Sequence, residues 1–309
     1  MTLRTSLFAS AIAIFASTSA YAASCDKITM ADPGWTDITA TTAATSTVLK
    51  ALGYKVETKM LALPVTFAGL ASNDLDVFLG AWLPTMEADL APYRTAGTID
   101  TIRTNLEGAK YTLATNEAGA ALGIKDFSDI AAHAKELGGN IYGIEPGNDG
   151  NRLLLAMTEE GSFGLKEFQI VESSEQGMLA EVARATQAGK PIIFLGWEPH
   201  PMNANFKLTY LTGGDDVFGP DFGGATVATT TRKGYVAECP NLGKLLNNLV
   251  FSLPMENEIM GAILNDGEEA DDAAEAWLKA NPAVWQAWLD GVTTKDGGNA
   301  IEAVAAKLD

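Results

Sequence analysis

The chain has 309 residues, of which 39 are acidic and 21 basic, for a formal charge of −18. With 47% hydrophobic and 19% charged residues it falls among folded globular proteins, and its length suggests two domains. So negative a chain argues against nucleic acid, whose phosphates select basic faces, and against adsorption to anionic lipid. It leaves room for a small neutral or cationic ligand.

Residues 1–22 carry the pattern of a secretory leader. Arg4 is the basic start, residues 7–16 are an apolar run, and Ala20-Tyr21-Ala22 is a small-x-small cleavage site, which places the mature start at Ala23. About ten apolar residues are too few to span a bilayer, and no later run approaches the ~18 required. The expectation is an exported, periplasmic protein. Both cysteines, Cys25 and Cys239, lie in the mature chain, and an even count in an exported protein predicts a disulfide. Closing so long a loop contributes roughly 2–5 kcal/mol on the chain-entropy argument. A lipid anchor at Cys25 is the rival reading. Ala22-Ala23-Ser24 lacks the leucine expected upstream of such a site, and Cys239 would be left over, so no anchor is expected.

Beyond the leader, short apolar runs alternate with amphipathic stretches. Strands are predicted at 28–30, 56–58, 77–79 and 191–195, and helices at 40–52 and 175–188, ended by Gly53 and Gly189. This alternation implies α/β layers. From 265 to 308 only helices are expected. Glu268, Glu269, Asp271 and Asp272 fill a first turn, and Asn281-Pro282 starts a helix that Gly291 ends. Trp277, Trp285 and Trp288, at helical spacing, are expected to pack against a sheet. Crossovers at 108–115 and in the Gly-rich run 213–224 would divide the mature chain into a discontinuous lobe, 23–112 plus 222–309, and an inserted lobe, 113–221.

Motifs of catalysis are missing from the sequence. There is no Gly-x-Ser-x-Gly elbow, and Pro191 after Gly189-Lys190 spoils a phosphate loop. His133 and His200 are too few for a histidine-rich metal cluster and lie in no His-Glu-x-x-His frame. No enzyme, metal or cofactor is expected.

Three tryptophans stand apart. They occur in Gly34-Trp35-Thr36-Asp37, in Gly80-Ala81-Trp82-Leu83-Pro84 and in Gly196-Trp197-Glu198-Pro199-His200, each after a predicted strand. Loops beyond the carboxyl ends of strands form the ligand crevice of open α/β sheets. Electron-rich ring faces in an acidic protein suit a quaternary ammonium, at up to ~2 kcal/mol per desolvated ring. Asp37, beside Trp35, favours a net cation and opposes a carboxylate. As an alternative, Asp37 caps the helix predicted at 40–52.

These motifs, with Pro201-Met202-Asn203 extending the third, resemble the substrate-binding proteins of ABC transporters for glycine betaine, choline and related compatible solutes. The resemblance covers essentially the whole mature chain and is strongest to the choline-binding members. It implies a type II periplasmic-binding-protein fold, with two α/β lobes joined by two crossovers and the ligand in the cleft between them. It also implies high-affinity capture of choline, delivery to the membrane permease of an ABC importer, a monomer, and no catalysis. By motif, Trp35, Trp82 and Trp197 become walls of an aromatic box. Tyr111 in Ala109-Lys110-Tyr111-Thr112 becomes the fourth wall, Asp37 the acid, and Asn148 in Gly147-Asn148-Asp149-Gly150 the amide. An amide both donates to and accepts from a hydroxyl; Asn148 is also placed to cap a helix predicted at 152–159, and Tyr111 to serve as core. Glu198, Pro199 and His200 are expected to shape their loop. The other readings are a glycine betaine or proline betaine binder of the same family, an exported enzyme acting on a choline-like compound, and a partner-binding protein whose loop tryptophans merely pack.

Overall fold

A computed structural model describes residues 25–309. The predicted leader and its cleavage site lie outside the described residues. Nine strands are found among those described: β1 (Lys27–Asp32), β2 (Lys55–Met60), β3 (Val77–Leu83), β4 (Ile99–Thr115), β5 (Asn140–Tyr142), β6 (Gln169–Val171), β7 (Ile193–Glu198), β8 (Thr209–Tyr210) and β9 (Gly224–Arg232). They form one mixed sheet in the order β2-β1-β3-β9-β4-β7-β5-β6, with β8 beside β4. Two halves of the same design are joined in it. β2-β1-β3 is parallel and bordered by antiparallel β9, and β6-β5-β7 is parallel and bordered by antiparallel β4. The chain passes from the first half to the second along β4 and returns just before β9.

All four predicted strands are present, three of them longer than their apolar runs and the fourth, expected at 191–195, displaced to Ile193–Glu198. The pairing of β4 with β9 was not foreseen. Its register shifts at three places, between Thr101 and Arg103, Thr104 and Leu106, and Leu106 and Ala109, and each shift breaks the period-two alternation that marks a strand. The stretch 108–115, expected as a crossover, lies within β4, irregular at Gly108 and paired in register with β7 from Lys110 on.

The helix predicted at 40–52 runs over Thr36–Ala51 and is buried along most of its length. The C-terminal helices Leu253–Leu264 and Ala270–Ala280 pack on it. Trp285 and Trp288 are buried as expected, and their indoles secure chain segments. Trp285 Nε1 donates to the Leu278 carbonyl, and Trp288 Nε1 donates to the Val250 carbonyl while its ring meets Phe251 edge-on. Cys25 and Cys239 are bonded, with Cα atoms 5.6 Å apart, within the usual range. The bridge ties the start of the described chain to the turn before the Pro240–Asn248 helix. No described helix is long and apolar enough to cross a membrane.

Candidate ligand-binding site

The repeated strand order gives each half a switch point beyond its central strand, where α/β sheets open a crevice. The two crevices face each other. After β1 the chain turns through Gly34, whose N–H donates to Asp32 Oδ1 at 2.7 Å, and Trp35 then precedes the first turn of Thr36–Ala51. After β5, Asn148 caps the helix Asp149–Glu160. Trp82 and Trp197 occupy corresponding places near the ends of β3 and β7 rather than in loops, and each stands two residues before a proline in cis linkage. Tyr111 lies directly opposite Trp197 in the β4–β7 register.

Trp35, Trp82, Tyr111, Asn148 and Trp197, with Asp37, Met86, Ile144 and Asp149, line one cavity. Tyr111 meets Trp82 and Trp197 edge-on, with ring centroids 6.0 and 6.2 Å away, and Phe218 backs it at 5.8 Å. Its hydroxyl donates to Asn148 Oδ1 at 3.0 Å. Gly150 makes this approach possible, because a Cβ there would come within 2.0 Å of the Tyr111 oxygen. Trp82 Nε1 donates to Asp37 Oδ2 at 3.1 Å, and Trp35 Nε1 to Glu145 Oε1 at 2.8 Å.

Asp37 does not cap its helix. The cap position is Trp35, and Asp37 lies inside the first turn. Instead Glu175, from the other half, serves this helix end. Its Oε2 accepts the Thr36 N–H at 2.9 Å, and its Oε1 accepts both the Thr36 hydroxyl and His200 Nε2, the latter at 3.1 Å. His200 Nδ1 accepts the Met202 N–H, so the ring proton is on Nε2. Arg152 adds a further link between the halves, donating to the Thr85 carbonyl and to Asp89, each at 2.8 Å. His200 thus shapes its loop, as expected. Asn148 does cap its helix, accepting from Gly150 N and Asn151 N, and lines the cavity as well.

Two helix N-termini converge on this cavity, a geometry that by itself favours anions. Here each first turn carries a buried acid, Asp37 or Asp149, which reverses the preference. Burial, reinforced by Glu175, pushes the Asp37 carboxyl up to about 8, and burial pushes Glu145 up to about 7 and Asp149 up to about 6. Asp37 Oδ1 and Asp149 Oδ2 have no hydrogen-bond partner. Among the described residues, no lysine or arginine lines the cavity. Carboxylates this strained by dehydration, walled by ring faces, make a cavity electrostatically complementary to a cation that needs few hydrogen bonds.

Sequence reasoning missed Met86, Ile144, Glu145 and Glu175, and it left Asp149 without a role although its motif was in view. Glu145 and Glu175 carry no local signal, since their partners are 110 and 139 residues away. No grouping suited to a metal ion occurs among the described residues.

Two α/β halves of one design, closed over an aromatic and acidic cavity at their switch points, define a solute-binding protein. The substrate binding domain of ABC-type glycine betaine transport systems matches residues 26–280, and the chain belongs to that family. An ABC-transporter choline binding protein solved in complex with choline is 66% identical, with a TM-score of 0.92 over 93% of this chain and 99% of that one. An ABC-transporter choline binding protein in an unliganded semi-closed conformation is also 66% identical, with a TM-score of 0.85 over 92% and 99%. Lactococcal OpuAC, closed on glycine betaine, is 25% identical, with a TM-score of 0.76 over 85% and 99%.

Proposed function

We propose that this chain captures choline outside the cytoplasm and delivers it to the permease of an ABC importer, without catalysing any reaction. The observation that carries this reading is the buried Asp37 carboxyl group, bonded to Trp82 through one oxygen and unmet at the other, held against the tryptophan box. Trp35, Trp82, Tyr111 and Trp197 take the trimethylammonium group, and Asp37 supplies its counter-charge. The 66% identical choline complex supports the same ligand. Glycine betaine, which OpuAC holds, carries a carboxylate, and the acidic cavity wall offers it no cationic partner. The ligand sits between lobe 23–112 plus 222–309 and lobe 113–221, a division supported by the repeated strand order. We place the protein in the periplasm as a monomer with its leader removed before Ala23, and the Cys25–Cys239 bond supports a chain without a lipid anchor.

Calorimetric titration with choline and with glycine betaine tests this directly. Choline is expected to bind at least tenfold more tightly and to be recovered unchanged. Equal affinities, or conversion of choline, would overturn the proposal.

The contact of Glu175 with Thr36 gives a further expectation. Glutamine keeps the shape but replaces one acceptor oxygen by a donor, which must then face either the Thr36 N–H or the His200 N–H. Hydrogen bonds to charged groups contribute ~1.5–3 kcal/mol, and 1.4 kcal/mol is a factor of ten. Glu175→Gln is therefore expected to speed choline release about tenfold, read by stopped-flow tryptophan fluorescence, although Glu175 does not line the cavity.

A further inference from the structure

Asn148, assigned from sequence to both donate to and accept from a ligand hydroxyl, is able to do only one of these. Its Oδ1 already accepts from the Tyr111 hydroxyl at 3.0 Å, from Gly150 N at 2.8 Å and from Asn151 N at 3.2 Å. One hydrogen of its Nδ2 is donated to Asp149 Oδ1 at 3.1 Å. A single amide hydrogen is left, so Asn148 donates to a hydroxyl oxygen but does not take up the hydroxyl hydrogen. A hydroxyl group enclosed in a dry cavity needs an acceptor for that hydrogen, or it forfeits the bond it made to water.

Two buried cavity oxygens are unengaged, Asp37 Oδ1 and Asp149 Oδ2. Asp37 is bound through its other oxygen to the Trp82 indole, within the ring of aromatic walls. Asp149 is bound through its other oxygen to the very amide that has a hydrogen to give. The pair Asn148–Asp149 therefore offers a donor and an acceptor side by side, which is what one hydroxyl requires. An acid in the first turn of a helix is commonplace and ordinarily serves the helix dipole from the surface. Asp149 is only 1% exposed, and its Oδ2 meets no donor at hydrogen-bond distance among the described residues, with the Thr85 hydroxyl nearby favouring the charged carboxylate; a surface role leaves this burial unexplained.

We propose that Asp149 is the specificity-determining residue for the alcohol end of the ligand. Its Oδ2 accepts the hydroxyl hydrogen while Asn148 Nδ2 donates to the hydroxyl oxygen. The site thereby selects quaternary ammonium alcohols over hydroxyl-free analogues, and the charge of Asp149 opposes a carboxylate in the same place. This rests on the reading of the cavity as a quaternary ammonium site.

The test titrates three ligands calorimetrically: choline, ethyltrimethylammonium, which lacks the hydroxyl, and choline methyl ether, which keeps the oxygen without its hydrogen. Wild-type protein is expected to prefer choline over both by tenfold or more. In Asp149→Ala the preference is expected to fall to within about threefold, and Asp149→Asn, which retains a neutral acceptor, to lie between. Asp37→Asn is expected to weaken all three ligands and leave the preference in place. An unchanged preference in Asp149→Ala, or its loss in Asp37→Asn alone, overturns the proposal. Should Asp149→Ala not fold, the wild-type series still decides, because methyl ether binding as tight as choline binding refutes the role of the hydroxyl hydrogen. Wild-type protein that binds all three ligands equally overturns this inference alone. Wild-type protein that binds none overturns the quaternary ammonium reading together with it.

Discussion

Replacing Trp35, Trp82 or Trp197 by alanine is expected to weaken choline binding at least tenfold in each case. Each ring lines the cavity and is nearly buried, so the cation it faces is desolvated. A desolvated ring contributes up to ~2 kcal/mol of cation–π attraction, and 1.4 kcal/mol is tenfold in affinity. The largest loss is expected at Trp82, whose Nε1–H also holds Asp37 Oδ2, so that its removal leaves both carboxylate oxygens without a partner. Trp285 and Trp288 provide the contrast. Their indole N–H groups bond the carbonyls of Leu278 and Val250 among the C-terminal helices, away from the cavity lining. Alanine at either should destabilise the fold by about 3–5 kcal/mol and leave choline affinity nearly unchanged. Titration calorimetry with thermal melts separates the two groups, and the reverse ranking would move the site elsewhere.

Asp37→Asn is expected to weaken choline more than glycine betaine and to narrow the difference between them. The substitution keeps the hydrogen-bonding reach toward Trp82 but removes the charge that favours a net cation and opposes a second carboxylate. Both ligands share the trimethylammonium group, so some betaine binding should persist in either form. The pH dependence follows with a definite sign. Asp37 is pushed up to about 8, first by burial and then by Glu175, above the ~3.9 of an exposed aspartate. The folded protein without ligand therefore holds a proton that the unfolded chain releases, and its stability falls as pH rises from about 4 to about 8. A quaternary ammonium supplies the missing counter-charge and reverses that loss. The rise in melting temperature caused by choline should accordingly be larger at pH 8.5 than at pH 5.5. Glu145 and Asp149 contribute in the same direction, since burial raises both. Asp37→Asn should flatten, without abolishing, the difference between the two pH values. An unchanged choline-to-betaine ratio in this variant would remove Asp37 as the selectivity element.

The aromatic side of the cavity was legible because its residues stand in short motifs at strand ends. Gly34-Trp35, Ala81-Trp82 and Gly196-Trp197 each place a large ring where an α/β sheet delivers its chain to the crevice, so position along the sequence nearly specified position in space. Asp37 and Asn148 were legible for the same reason, each lying within two residues of a helix start. The helix-cap reading of Asp37 failed because the helix begins at Thr36 and draws its capping acceptor from Glu175 in the other half. No local pattern announces an acid whose partner is 139 residues distant.

The sequence by itself therefore determined the alternation of strands and helices, the cysteine pair and the chemistry of the ring faces, because these depend on neighbouring residues and on residue type. The tertiary structure alone decided that β4 and β9 pair at the junction of the two halves, where register shifts erase the alternation by which a strand is recognised. It alone decided that Asn148 spends its acceptor on Tyr111 and on its own helix, which leaves Asp149 open to the cavity. Saturation of a polar atom is a count of every donor brought within reach, and that count exists only once the distant segments of the chain have met.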